Sequence, residues 1–296
     1  MIAVSLKKNE INFLSTYKQA NQLNFEDYGS FAYREKNLNS KHLLKIKNRK
    51  KIKKTQYPSK NCMIFLESSE VIMNQFNCPG EISLNDFVDW HNDSMFGKNT
   101  LNSYSDYHYE IENRSFLSVY IKKEKQFELY NAFIKQNLKL RAISLSIFSA
   151  DYLARTQFEA DSNSGYMIWG IGKDSDEILI VKNGILKCLF NIKRNSNKLT
   201  LINFIGSKKD VQNTLKLLEE KMLTDLKSFD IVDKIYMYQK SPSLDINKIY
   251  NKKNRDSITI LNPLIKMENY NKKKVNILES SYLAEMGYLF KELDNL

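Results

Sequence analysis

The segment Glu177-Ile-Leu-Ile-Val-Lys-Asn-Gly-Ile-Leu-Lys-Cys-Leu-Phe190 constrains this chain more than any other. Two apolar runs meet at Asn183-Gly184. Both residue types tolerate positive φ, which a type I′ turn requires at both central positions. The spacing therefore predicts a tight β-hairpin with buried strands. A buried hairpin needs partners, so the chain must build a sheet around it.

The same logic finds a second hairpin at the start. Ile2, Val4 and Leu6 alternate, as do Ile11 and Phe13, across a polar Lys7-Lys8-Asn9-Glu10. Residues 29–33 offer a third strand, and Met63–Leu66 and Val71–Met73 two more. A helix is expected over 38–50. From Glu81 the pattern changes. Ser83 can cap a helix carrying Leu84, Phe87, Val88 and Trp90. Tyr104–Ile111 and Phe116–Ile121 alternate as strands. Lys123–Leu138 places Phe127, Tyr130, Phe133, Ile134 and Leu138 near a helical period. Ile143–Ile147 reads as a strand, followed by a short helix with Tyr152 and Leu153. Asp161–Gly165 reads as a hinge. The second half repeats the scheme: a strand at Tyr166–Gly170, the hairpin, a strand at Leu199–Ile205, and a long helix over Asp210–Phe229 with Val211, Leu215, Leu218, Met222 and Leu226 on one stripe. Strands at Lys234–Tyr238 and Ile258–Leu261 follow, then a last helix over 280–293.

Composition supports a packed α/β protein. Hydrophobic residues make up 42% and aromatics 12% of 296 residues, which excludes global disorder. No apolar run approaches the ~20 residues that span a bilayer. The opening residues lack a basic segment followed by an apolar one, and three scattered cysteines form no CxxC pair, so the expected compartment is reducing and cytosolic. The formal charge is +11. Nine Lys or Arg fall between Lys41 and Lys60 with no acid among them, and taking them away leaves +2. Three readings of that stretch stand: a solvated connection, contact with an anionic membrane through Lys50, Lys51, Lys53 and Lys54, or contact with a phosphate backbone. The run Ser40–Lys54 contains no Phe, Trp or Tyr, which argues against a nucleic-acid surface.

Catalytic motifs are few. There is no G-x-S-x-G and no G-x-x-x-x-G-K-[ST]. His91 between Asp89 and Asp93 reads as a surface helix rather than a metal site, His108 as an exposed strand residue, and Cys188 as buried core. Neither a metal nor a cofactor is expected. Tyr104, Tyr107 and Tyr109 are candidate partner-binding residues, since tyrosine anchors interfaces well.

Each half thus opens with a hairpin and goes on to alternate strands and helices, with an α/β insertion in the first. In this order the chain resembles the PilM family, the actin-like proteins of type IV pilus machines, and its relative FtsA. The matching segments are Met63–Ile72 before Cys78-Pro79, Ser83–Asn92, Tyr104–Ile111 with Phe116–Ile121, Lys123–Leu140, Arg141–Ala154, Glu177–Ile192, Val232–Tyr236 and Tyr282–Leu289. The resemblance implies an actin-like (ribonuclease H-like) duplicated fold: a first subdomain from 1–79 and 141–163, an inserted subdomain from 80–140, and a reduced second half from 164–296. It also implies a scaffold of a pilus or secretion platform at the inner membrane, with a groove between first subdomain and insertion that takes the cytoplasmic tail of a PilN-like partner. Phe87 and Trp90 are then expected inside the insertion, and Tyr107 or Tyr109 at the groove.

The departures bear on activity. The family's relatives with ATPase activity cradle phosphates in a glycine-bearing, acidic turn in each half, where glycine lets backbone N–H groups approach phosphate. The first turn here is Lys7-Lys8-Asn9, with neither Gly nor Asp. The second keeps Gly172, but Gly170 stands at the acidic position, leaving Asp174 and Asp176 nearby. The later adenosine-loop glycines are absent from Ile235–Pro242, and Ile192 to Asp210 is too short for the helical subdomain that walls the cleft. The expectation is a catalytically silent protein without ATP. A working ATPase with a remodelled site is the alternative, and a nucleic-acid binder a weaker one.

Overall fold

The computed structural model describes residues 1–7, 9–19, 22–32, 61–161, 163–195, 198–222, 232–244, 258–267 and 279–291. The expected helix over 38–50, the basic stretch 41–60 with Lys50, Lys51, Lys53 and Lys54, and Lys8 lie outside the described residues.

Strand β1 (Ile2–Leu6) is buried at every position. It pairs antiparallel with β2 (Glu10–Gln19), which pairs with β3 (Gln22–Ala32). On its other side β1 pairs parallel with β4 (Asn61–Leu66). A strand covered on both faces has no polar side to show, which is why Ile-Ala-Val-Ser-Leu reads as a nearly continuous apolar run.

The insertion contributes β5 (Ile72–Asn77), helix α1 (Leu84–Phe96), β6 (Tyr104–Glu112), β7 (Ser115–Lys122) and helix α2 (Lys123–Ile134). Its sheet has the order β5-β7-β6. β5, which precedes residue 80, pairs with β7 in this small sheet. Ser83 caps α1 as expected, accepting from the Asp86 amide at 3.2 Å. Phe87 is half-buried and Trp90 is 62% exposed, so Trp90 is not core. The buried face of α1 is carried by Val88 and Asn92 instead. Between β6 and β7, Asn113 and Arg114 take positive φ. The Arg114 side chain holds that turn by donating to the carbonyls of Cys78, Pro79 and Ile82.

The chain returns through β8 (Lys139–Leu145), which pairs parallel with β4 and completes the order β3-β2-β1-β4-β8. Helix α3 (Ser146–Gln157) follows. The second half repeats the plan. Strands β9 (Tyr166–Ile171), β10 (Asp176–Lys182), β11 (Ile185–Asn195) and β12 (Lys198–Gly206) are antiparallel neighbours. Helix α4 (Lys208–Met222) leads to β13 (Lys234–Gln239), parallel to β9, and β14 (Ile258–Ile260), parallel to β13. In both sheets a central strand has hairpin partners on one side and parallel partners on the other. Asn183 (φ 55°) and Gly184 (φ 74°) form the β10–β11 turn, the geometry that the Asn-Gly pair dictates. Val211 and Leu218 of α4 are buried against this sheet. From Ile192 to Asp210 the chain holds the end of β11, then β12 and the start of α4.

The expected last helix is present as Ser281–Phe290 and is of the 3-10 type; residues 292 and 293 lie outside the described residues. With about three residues per turn, Ala284 and Gly287 fall in one row. A Cβ at Gly287 would lie 2.4 Å from Leu153 Cβ. The small residues thus let this segment press against α3, and it is buried nearly all round. Phe65, Leu153, Tyr166, Tyr236, Leu283 and Met286 share one core that both halves build. No helix among the described residues is long and apolar enough to cross a membrane.

Candidate functional site

The cleft between the halves is filled by the chain's own charges. The first turn closes on itself, the Lys7 amide donating to the Glu10 carbonyl at 2.9 Å. The Lys7 side chain turns inward, 9% exposed, and pairs with Glu285 and with Glu67, the latter at 3.5 Å. Lys240, just past β13, meets Glu67 at 2.7 Å. Ser5 Oγ donates to Glu285 at 2.7 Å. The Glu177 carboxylate and the Tyr238 hydroxyl are buried and take no hydrogen bond among the described residues. Burial works against the Glu67 charge, but Lys7 and Lys240 outweigh it and hold the carboxyl at about 2. For Glu285 burial wins over Lys7, Ser5 and Lys240, and the carboxyl is pushed up to about 7. Burial pulls the Lys240 ammonium down, yet Glu67, Glu177 and Glu285 together raise it.

The second turn is also self-satisfied. Asp176 Oδ1 accepts from the Gly172 amide at 3.0 Å, and Oδ2 from Trp169 Nε1 at 3.1 Å. Arg194 pairs with the same carboxylate at 3.0 Å. Burial raises the Asp176 carboxyl, with Arg194 and these donors opposing. The turn's acid is therefore Asp176, and Asp174 lies exposed outside it. Gly172 is required by the fold itself: a Cβ there would meet the Ser175 carbonyl at 2.1 Å. At Gly170 the place of a side chain is taken by the Tyr238 hydroxyl, 2.5 Å from where a Cβ would stand. Of the degenerate loop positions, Lys7, Gly170 and Gly172 thus face the cleft or its walls, while Asn9 is exposed at the first turn.

Beside the cleft runs an open groove of about 1290 Å³ between the insertion and the first subdomain, lined also by Gly184 and Leu186 of the β10–β11 hairpin. Tyr107 and Tyr109 of β6 line it, 47% and 56% exposed, together with Phe127 and Tyr130 of α2. Tyr104 does not. Successive strand residues point to opposite faces, and Tyr104 lies on the α1 side, its ring 4.9 Å from that of Phe96. The apolar stripe of α2 is likewise split. Leu129, Ala132 and Phe133 are buried, while Phe127 is 66% exposed. Opposite, every residue from Leu140 to Leu145 borders the groove. Both alternating sets take part, as happens where a sheet presents its edge. Indeed β8 ends the five-stranded sheet and β6 the three-stranded one. Tyr288, from the closing 3-10 helix, completes the wall and packs edge-on to Tyr152 with centroids 5.1 Å apart. The sequence reading missed Tyr288, whose only local signal is its place in a helix otherwise buried.

No family model matches the chain, and no curated protein matches it. Solved structures do. A "PilM-PilN type IV pilus biogenesis complex" is similar over 99% of this chain and 98% of its own, with TM-score 0.63 and 9% identity. The fold is actin-like, and PilM shares it. The cytoplasmic domain of EpsL, an inner-membrane component of the type II secretion system of Vibrio cholerae, aligns over 96% of this chain and 93% of its own at TM-score 0.48 and 9% identity. A Bacteroides thetaiotaomicron protein with an actin-like ATPase fold aligns over 96% and 94% at TM-score 0.42 and 14% identity. The fold rests on the first of these.

Proposed function

We propose that this chain is a non-catalytic scaffold of a pilus or secretion assembly platform that captures the cytoplasmic tail of a PilN-like inner-membrane protein in the groove. The observation that carries the reading is that β6 and β8, each an end strand of its sheet among the described residues, border one groove with exposed Tyr107, Tyr109 and Phe127. An extended peptide gains main-chain hydrogen bonds from such an edge, and the aromatic side chains supply pockets for alternate residues. The full-length likeness to a structure described as a PilM–PilN complex supports the choice of partner.

The cleft supports the silent half of the reading. A triphosphate entering it would meet Glu67, Glu177, Glu285 and Asp176, with the donors it needs already engaged. Like charges at close range in a low-dielectric site repel strongly. The stretch 41–60 adds a polybasic segment that would hold the scaffold at an anionic inner-membrane surface.

A pull-down with a synthetic peptide of the PilN-like protein's cytoplasmic tail tests the reading. Binding should weaken in the Tyr107→Ala, Tyr109→Ala variant while circular dichroism stays unchanged. Retained binding refutes the groove. Calorimetry with Mg-ATP should give no heat of binding, and sub-millimolar affinity refutes the silent cleft.

A further inference from the structure

Beside the Lys7–Glu67 pair, which lies within the first half, a set of polar contacts in the cleft shares one property that composition does not suggest: each joins the two halves. Lys240 to Glu67 runs from β13 to the residue after β4. Lys7 and Ser5 of the first half meet Glu285 near the chain's end. Asn12 Nδ2 donates to the Lys240 carbonyl at 3.3 Å, and Ser241 Oγ to Glu10 at 2.7 Å. Asn191 of β11 donates to Ser68 at 2.9 Å. These groups come from β1 and the turn after it, β2, the turn after β4, β11, the two residues after β13 and the closing 3-10 helix. They form a belt across the cleft.

We propose that this belt, centred on Lys7, Glu67, Lys240 and Glu285, is an internal brace that fixes the two halves in one closed orientation without any ligand. In an actin-like fold a ligand in the cleft would touch both halves at once and set their angle. Here the chain's own carboxylates, Glu67 and Glu285, occupy the cleft, and the ammonium groups of Lys7 from the first half and Lys240 from the second bind them. Buried pairs of this kind contribute registration more than net stability, because desolvation offsets much of their attraction. The brace therefore specifies an angle. The groove lies on the insertion side and is not part of the brace, so peptide capture can fail while the brace holds.

Distance measurement between spin labels tests it on the full chain. Labels at Lys139→Cys in β8 and Lys193→Cys in β11 sit on exposed positions of opposite halves. The native Cys62, Cys78 and Cys188 are buried. The parent protein should show one narrow distance, unchanged by saturating Mg-ATP. Lys7→Met with Lys240→Met should lose it, giving a broad or bimodal distribution, and Lys240→Arg alone should keep it. Hydrogen exchange across the β10–β11 hairpin reports that the second half remains folded. Should the double variant fail to fold, adding Glu67→Gln, Glu177→Gln and Glu285→Gln leaves none of these carboxylates buried without its cation, and the same broadening is expected. A folded variant that keeps the narrow distance overturns the brace. So does a parent distance that shifts on adding Mg-ATP.

Discussion

Lys240 Nζ lies 2.7 Å from Glu67 Oε1, an ion pair that joins the end of β13 to the turn after β4 and so ties one half of the molecule to the other. Lys240 is 6% exposed. Removing its ammonium leaves Glu67 facing Glu177 and Glu285 with less compensation. Lys240→Met should cost ~3–5 kcal/mol, the usual penalty for orphaning a buried charge. Urea denaturation measures it, and a loss below about 1 kcal/mol would mean the pair is already screened.

Glu285 gives stability a pH signature. Its folded carboxyl sits at about 7, against roughly 4.3 for an ordinary glutamate in the unfolded chain. Between those values the folded state holds the extra proton. Its contribution is thus complete below the unfolded value and is lost as pH rises through about 7. Glu67, held at about 2, acts oppositely: its contribution is present above the ordinary range and fades as pH falls toward 2. Denaturation midpoints from pH 4.5 to 8 should decline more steeply in the parent than in Glu285→Gln. Equal slopes would contradict the assignment.

Gly287 tests the close approach of the closing 3-10 helix to α3. An alanine Cβ there would lie 2.4 Å from Leu153 Cβ and 3.0 Å from the Ser149 carbonyl. Gly287→Ala should destabilise by ~1–3 kcal/mol through overpacking. Leu153→Gly in the same chain removes that Cβ, so the two losses should combine to less than their sum, since the two changes share one space. Additive losses in thermal melts would show that the contact is not the cause.

The basic stretch predicts salt-sensitive binding to anionic vesicles. Co-sedimentation with phosphatidylserine liposomes should weaken as ionic strength rises. It should fall further when Lys50, Lys51, Lys53 and Lys54 are replaced by Gln. Binding unchanged by that replacement returns the stretch to a solvated connection.

Much of this fold is legible in the sequence because its strands are buried on both faces and its turns carry distinctive residues. Asn183-Gly184 fixes one hairpin, and Ser83 fixes the start of α1. What resists reading is set by tertiary contact. Trp90 and Phe127 fit an apolar stripe equally well whether that face meets a core or a groove. The type of the last helix depends on how closely Gly287 can approach Leu153, which no local pattern records. The site divides the same way. Strand alternation separates Tyr107 and Tyr109 from Tyr104 once the covered face is known. The cleft network joins residues from both ends of the chain, so Lys7 reads as a surface turn until Glu285 is seen beside it.

Hydrogen exchange on the full chain, with and without the synthetic tail peptide of the PilN-like protein, tests the central claim most directly. An extended peptide added to the open edges would slow exchange along Leu140–Leu145 of β8 or Tyr107–Ile111 of β6, and leave the cleft turns at Lys7–Glu10 and Gly172–Asp176 unchanged. That protection should disappear in the Tyr107→Ala, Tyr109→Ala variant. Protection confined to the cleft turns, or none at saturating peptide, would contradict the account.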